Sequence, residues 1–424
     1  MEQLLVSGEK KLDGAVTVHG AKNSALPILA AAILVKGECI IHNCPRLSDV
    51  LEAINILKGL GCKAELEGNT AVVDASTISG YSIDEQTMRS MRSSIIFLGA
   101  LVSRMGIAQV YYPGGCEIGT RPVDLHINSL RSMGVTVEEK GSAICCKADK
   151  IYGTKIILPF PSVGATENII IASVMAKGRT TIINAAREPE ISDLADFLNH
   201  CGARIYGAGE GTIEIEGVLS LHPAQHDVIP DRIVVSTYMA AAAITGSTVT
   251  VNNVVPTHVA PVFPAFNQMG CRIYLSASSL KLEAPRRLKR ISTIKTMPYP
   301  GFPTDSQPII AAVLCKAKGT SVIQENIFEN RFRYISELKR FGTDIEVNDN
   351  LAVINGVKEF HAANVNATDL RGGAALVIAS LAADGISRVN CVNYIDRGYE
   401  SIEKSLSQIG ADIKRITYEK QKDE

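Results

Sequence analysis

The sequence predicts an α/β protein of two domains, each made of three copies of one helix-and-strand module. Three observations predict it. A chain of 424 residues with 46% apolar positions exceeds what one ordinary core accommodates, at roughly 100–200 residues per domain. A short apolar helix followed by a glycine recurs six times. A second helix, also ending at a glycine, recurs in step with it, and the shared period of about 70 residues exceeds the roughly 20–45 of solenoid repeats.

The first helices are expected at 24–35, 93–105, 166–176, 234–244, 306–317 and 372–383, each apolar nearly all round and so buried. They stop at Gly37, Gly106, Gly178, Gly246, Gly319 and Gly385, spaced by 69, 72, 68, 73 and 66 and read as helix C-caps. A β-like run follows each stop, as in Cys39-Ile40-Ile41 and Thr248-Val249-Thr250-Val251. The second helices end at Gly61, Gly134, Gly202, Gly270, Gly342 and Gly410, spaced by 73, 68, 68, 72 and 68. Alternating strands such as Thr212-Ile213-Glu214-Ile215-Glu216 close the module. A polar, proline-containing stretch at 221–227 separates the third copy from the fourth. The expected domains are therefore 21–229, a catalytic-loop domain with modules one to three, and 1–20 plus 230–424, with modules four to six. The strand-like segment 3–19 is expected to complete the second.

Lys+Arg 43 against Asp+Glu 44 gives a formal charge of -1, so no bulk field marks the chain for nucleic acid or an anionic membrane. The apolar stretch at 25–35 is too short to span a bilayer, and residues 1–8 lack the features of a secretory signal, so a cytoplasmic protein is expected. Ten cysteines without CxxC spacing point to reduced, mostly buried thiols. With no HExxH, P-loop or GxGxxG, no metal and no cofactor are expected.

Polar residues gather at the starts of the first helices: Lys22-Asn23, Arg92, Ser162 with Gly164, Asp231-Arg232, Asp305, and Asp369 to Arg371. A helix N-terminus suits anions and disfavours cations, so recurring Lys and Arg there point to a multiply charged phosphate ligand held in a cleft between the domains. The plainer alternative is solvated side chains, with the acids serving as N-caps. A glycine- and proline-rich loop at 111–126 contains Cys116 near Arg121, where a cation and exposed N–H groups can stabilise thiolate; the plainer alternative is an inert cysteine on a Pro-Gly-Gly turn. Further arginines stand at Asn330-Arg331-Phe332-Arg333 and at Asp396-Arg397-Gly398.

The segments Gly20-Ala21-Lys22-Asn23-Ser24, Met91-Arg92-Ser93-Ser94, Pro113-Gly114-Gly115-Cys116, Arg121-Pro122-Val123-Asp124-Leu125-His126, Phe302-Pro303-Thr304-Asp305, Thr368-Asp369-Leu370-Arg371 and Asp396-Arg397-Gly398-Tyr399-Glu400 carry a family resemblance. Over essentially its whole length the chain resembles the UDP-N-acetylglucosamine 1-carboxyvinyltransferase family. The resemblance implies the enolpyruvyl transferase fold, two inside-out α/β domains of three βαβαββ-like modules, with the active site between them. It implies transfer of enolpyruvyl from phosphoenolpyruvate to the 3-hydroxyl of UDP-N-acetylglucosamine, with no cofactor. By motif match Cys116 is the loop proton donor, able also to form an adduct with phosphoenolpyruvate, and Asp305 takes the hydroxyl proton. Lys22, Asn23, Arg121, Arg371 and Arg397 match the phosphoenolpyruvate site, with Lys22 and Arg397 counted among the catalytic groups. Arg92, Arg121, Pro122, Val123, Asp124, Leu125, Asp305 and Ile327 match contacts to the UDP-sugar.

Two positions depart from the pattern, since some members carry lysine where this chain has Ser48 and Phe160. Certain low-GC Gram-positive bacteria hold two paralogues, and the departures look like that branch. The rival readings are a non-catalytic UDP-sugar-binding regulator and enolpyruvylshikimate-phosphate synthase, which lacks the Pro-Gly-Gly-Cys loop.

Overall fold

The computed structural model describes residues 2–112 and 123–417, with only the backbone at Ser90 and Arg92. Two compact units form: residues 20–112 with 123–229, called the first, and residues 2–19 with 230–417, called the second.

The six first helices lie inside their units. Those of the first are α1 (Lys22–Ala31), α2 (Phe97–Met105) and α3 (Val163–Ser173). Those of the second are α4 (Arg232–Thr245), α5 (Gln307–Leu314) and α6 (Leu370–Ser380), which pack on one another. Every residue of α4 except Thr245 is buried, which requires a sequence apolar all round, such as Met239 to Ala243. The strands form the outer layer, and their period-2 pattern turns one face in and the other to water, as in Thr212–Glu216. Each unit has its own apolar core.

The third copy shows the module complete. Lys155–Ile157 leads into α3, then come Arg179–Ile183, the helix Pro189–His200, and the strands Arg204–Tyr206 and Thr212–Glu216. Arg179–Ile183 pairs parallel with the leading strand and antiparallel with Thr212–Glu216, giving βαβαββ. In the second copy the leading strand shrinks to one parallel bridge, Ser82 to Gln109.

The first and fourth copies exchange their leading strands. Ala15–Thr17, just before α1, pairs with Thr248–Asn252 of the second unit. Gln225–Asp227, just before α4, pairs with Glu38–His42 of the first. The sixth copy is completed by the start of the chain: Glu2–Ser7 lies between Ile386–Asn390 and Asp412–Thr417, antiparallel to both.

All twelve glycines of the two series have positive φ, but their jobs differ. The C-cap role expected of the first series holds only at Gly106 and Gly246. The helices of the other four copies end earlier, and Gly37, Gly178, Gly319 and Gly385 instead turn the chain into the strands that begin at 38, 179, 320 and 386. The second series does terminate helices. The residue after the glycine donates to a carbonyl five back, as in Cys62 to Leu57, Val135 to Leu130, Ala203 to Leu198 and Ala411 to Leu406, the bonding of a Schellman motif. Among the described residues no helix is long and apolar enough to cross a membrane.

Candidate active site

In the second unit the starts of three inner helices carry one charged cluster. Asp369 caps α6, its Oδ1 accepting the N–H groups of Arg371 and Gly372 at 3.0 Å each. That sets Arg371 on the first turn, where the helix dipole disfavours a cation. Anions and an aromatic offset this. Arg371 Nε donates to Asp305 Oδ1 at 3.2 Å, Nη1 reaches the Tyr399 hydroxyl at 3.4 Å, and the guanidinium stands 5.7 Å from the Tyr399 ring centroid. Burial alone would lower the Arg371 pKa, but Tyr399, Asp305 and Asp231 more than offset it and raise it, so the charge is permanent. The Tyr399 hydroxyl also bonds Thr237 Oγ1 of α4 at 2.7 Å.

Asp305 is no cap. It sits in the 3₁₀ turn Thr304–Ser306 before α5 and takes a second guanidinium on Oδ1, from Arg331 Nη2 at 3.4 Å. Arg331 is buried and also donates to the Thr304 carbonyl at 3.1 and 3.3 Å. Asp231 caps α4 through Ile233 and Val234, while Arg232 lies 5.4 Å from the Tyr299 ring. Asp231 and Asp369 therefore act as caps, as the plainer sequence reading expects, whereas Asp305 is an oriented carboxylate. Arg397 ends the turn Val392–Arg397, half-buried and two residues from Tyr399.

Ile327 lies in a loop built around Glu325. The buried Glu325 accepts from the Thr296 hydroxyl, the Ile327 and Phe328 N–H groups and the Thr304 hydroxyl. Sequence reasoning missed Glu325. Its only signal is a charged residue closing the alternating run Thr320–Gln324.

In the first unit Lys22 is the first residue of α1, buried, with Nζ 3.2 Å from Asp49 Oδ2; Asn23 beside it is half-buried. Asp49 was also missed, because an acid in a helix first turn is ordinary. Ser48 and Phe160 are exposed. Arg92 opens the 3₁₀ turn Arg92–Ile96. Val123 is buried at the start of the helix Asp124–Ser132, with Asp124 exposed and Leu125 half-buried. Cys116, Arg121 and Pro122 lie outside the described residues. Next to Leu125, His126 is buried and bonded at Nδ1 to Asn168 Nδ2, 2.8 Å away.

Residues 6–406 match the family described as EPSP synthase (3-phosphoshikimate 1-carboxyvinyltransferase). Among curated proteins, UDP-N-acetylglucosamine 1-carboxyvinyltransferase 2 of Caldanaerobacter subterraneus subsp. tengcongensis is 50% identical over 98% of this chain and 100% of its own. UDP-N-acetylglucosamine 1-carboxyvinyltransferase of Geobacter metallireducens is 45% identical, again over 98% and 100%. Of solved structures, the enolpyruvyl transferase NikO from Streptomyces tendae superimposes with a TM-score of 0.89 at 26% identity, covering 99% of both chains. EPSP synthase from Acinetobacter baumannii shares the fold at a TM-score of 0.74 and 17% identity, over 98% of this chain and 100% of that one.

Proposed function

The chain belongs to the UDP-N-acetylglucosamine 1-carboxyvinyltransferase family, and from that membership we propose that it transfers enolpyruvyl from phosphoenolpyruvate to the 3-hydroxyl of UDP-N-acetylglucosamine, releasing phosphate. In this reading it works in the cytoplasm, at the first committed step of peptidoglycan synthesis.

The reaction needs an acid, a base and fixed cations. A proton added to C3 of phosphoenolpyruvate leaves C2 electron-poor, and the sugar oxygen bonds to C2 as its own proton departs. The tetrahedral adduct then loses a proton from C3 and expels phosphate from C2, restoring the double bond. The observation that carries the reading is Asp305, a carboxylate held at Oδ1 by Arg371 and Arg331 at the start of an inner helix. It receives the hydroxyl proton. Arg371 and Arg397, with Lys22, Asn23 and Arg121, hold phosphoenolpyruvate and its developing charge. Cys116 supplies the proton to C3. Arg92, Arg121, Pro122, Val123, Asp124, Leu125 and Ile327 receive the UDP-sugar.

The test is inorganic phosphate released from phosphoenolpyruvate with UDP-N-acetylglucosamine, the product confirmed by mass, beside a reaction offered shikimate 3-phosphate. Release that depends on the UDP-sugar, and that falls at least about 100-fold in Asp305→Asn, is expected. Release only with shikimate 3-phosphate assigns the other acceptor. UDP-sugar binding without turnover moves the protein to a regulatory role.

A further inference from the structure

We propose that Glu325 is a positioning residue that holds Asp305 and the Ile327 loop in fixed register, a role that rests on the transferase reading above. Its two oxygens face different elements. Oε1 accepts the Thr296 hydroxyl at 2.8 Å and the N–H groups of Ile327 and Phe328 at 2.9 and 3.2 Å, which closes the loop carrying Ile327. Oε2 accepts the Thr304 hydroxyl at 3.0 Å, one residue before Asp305.

The chemistry of the group fits this use. An ionised carboxylate only accepts, with about four lone-pair sites, and four donors converge on this one. Burying a carboxylate is costly unless such bonds replace water, so the arrangement tolerates little displacement of any donor. Thr296 locks the loop further: its hydroxyl oxygen accepts the Asn326 N–H at 2.8 Å and its carbonyl accepts Asn326 Nδ2 at 3.1 Å. Thr304 is gripped from its other end by Arg331, through the carbonyl. Asp305 thus hangs from a residue fixed on two sides. In the proposed reaction Asp305 and Ile327 both serve the sugar acceptor, so one carboxylate sets where base and acceptor meet, and Glu325 acts through them.

Steady-state kinetics with each substrate varied in turn test this, on wild-type enzyme, Glu325→Ala, Glu325→Gln and Thr304→Val. Glu325→Ala is expected to lower kcat at least about tenfold and to raise KM for UDP-N-acetylglucosamine, with KM for phosphoenolpyruvate changed by no more than about twofold. Glu325→Gln is expected to recover most of the turnover, because its amide oxygen still accepts and its NH₂ can donate to the Thr304 hydroxyl. Thr304→Val cuts only the Oε2 link; it is expected to lower kcat with both KM values near wild type, and it decides the matter if Glu325→Ala does not fold. Wild-type kcat in Thr304→Val, or equal rises of both KM values in Glu325→Ala, overturns the positioning role. Wild-type enzyme that releases no phosphate overturns the transferase reading, and this role with it.

Discussion

His126 shows how a single side chain can be read down to its protonation state. Asn168 Oδ1 accepts the Gly99 N–H at 2.7 Å and its Nδ2 donates to the Ile95 carbonyl at 2.9 Å, which fixes the amide orientation. The group facing His126 Nδ1 is therefore a donor, and the ring accepts only if neutral there. Burial acts in the same direction and pushes the His126 pKa down from 6.5 to about 4. The unfolded chain thus takes up a proton near pH 6.5 while the folded one resists until about pH 4. Stability from this group is present above pH 6.5 and is lost as pH falls toward 4, by up to about 3 kcal/mol. In His126→Gln the amide oxygen can still accept from Asn168, but nothing titrates. Its urea midpoint should fall less between pH 7 and 4.5 than that of the wild type, and parallel slopes would remove His126 as the cause. Asp305 and Arg371 were legible as separate positions at helix starts. Their ion pair was not, because they lie 66 residues apart and belong to different modules.

At the scale of elements, α2 and α3 approach each other closely in the first unit, and Gly99 permits it. A Cβ built on Gly99 would lie 2.3 Å from Asn168 Oδ1 and 2.6 Å from its carbonyl oxygen. Two effects oppose each other in Gly99→Ala. Helix propensity favours alanine by about 1 kcal/mol, while forcing a methyl into a packed core costs typically about 1–3 kcal/mol. One clashing atom is backbone, and the other is the oxygen of the amide that already ties Gly99, Ile95 and His126 together, so the clash should win, by up to about 2 kcal/mol. Thermal denaturation checks it, and an alanine variant as stable as wild type would mean that the two helices separate at little cost. The repeat of glycines made both helix series legible, since backbone with positive φ selects glycine wherever a module turns. Which glycine caps a helix and which opens a strand was not legible, because both conformations make the same demand on the residue.

For the whole molecule, the modules are not cut from the chain in simple order, because three strands pair within modules that they do not adjoin in sequence. Ala15–Thr17 and Gln225–Asp227 are only three residues each, and their partners lie about 200 residues away, so alternation and propensity do not name those partners; the one trace was that segment 3–19 had no place in the first module. The consequence is an asymmetry. Residues 20–229 hold the first unit's core in one continuous stretch, apart from the loop outside the described residues. The second unit is incomplete without residues 2–19, because Glu2–Ser7 is an inner strand of its sheet, with Leu4 and Val6 wholly buried. Burying those two side chains contributes about 1.5–3 kcal/mol each, before the ladder bonds on both edges are counted. Against a typical stability of about 5–15 kcal/mol, that loss together with the ladder bonds removes a large share of what holds a domain folded. Residues 20–229 expressed alone should therefore melt cooperatively, while 230–424 alone should not, and adding a peptide of residues 1–19 should restore its transition. Far-UV circular dichroism through a urea titration reads all three. A cooperative transition in 230–424 without the peptide would show that strand 2–7 docks onto a sheet already formed, and the second unit's fold would then not depend on the start of the chain.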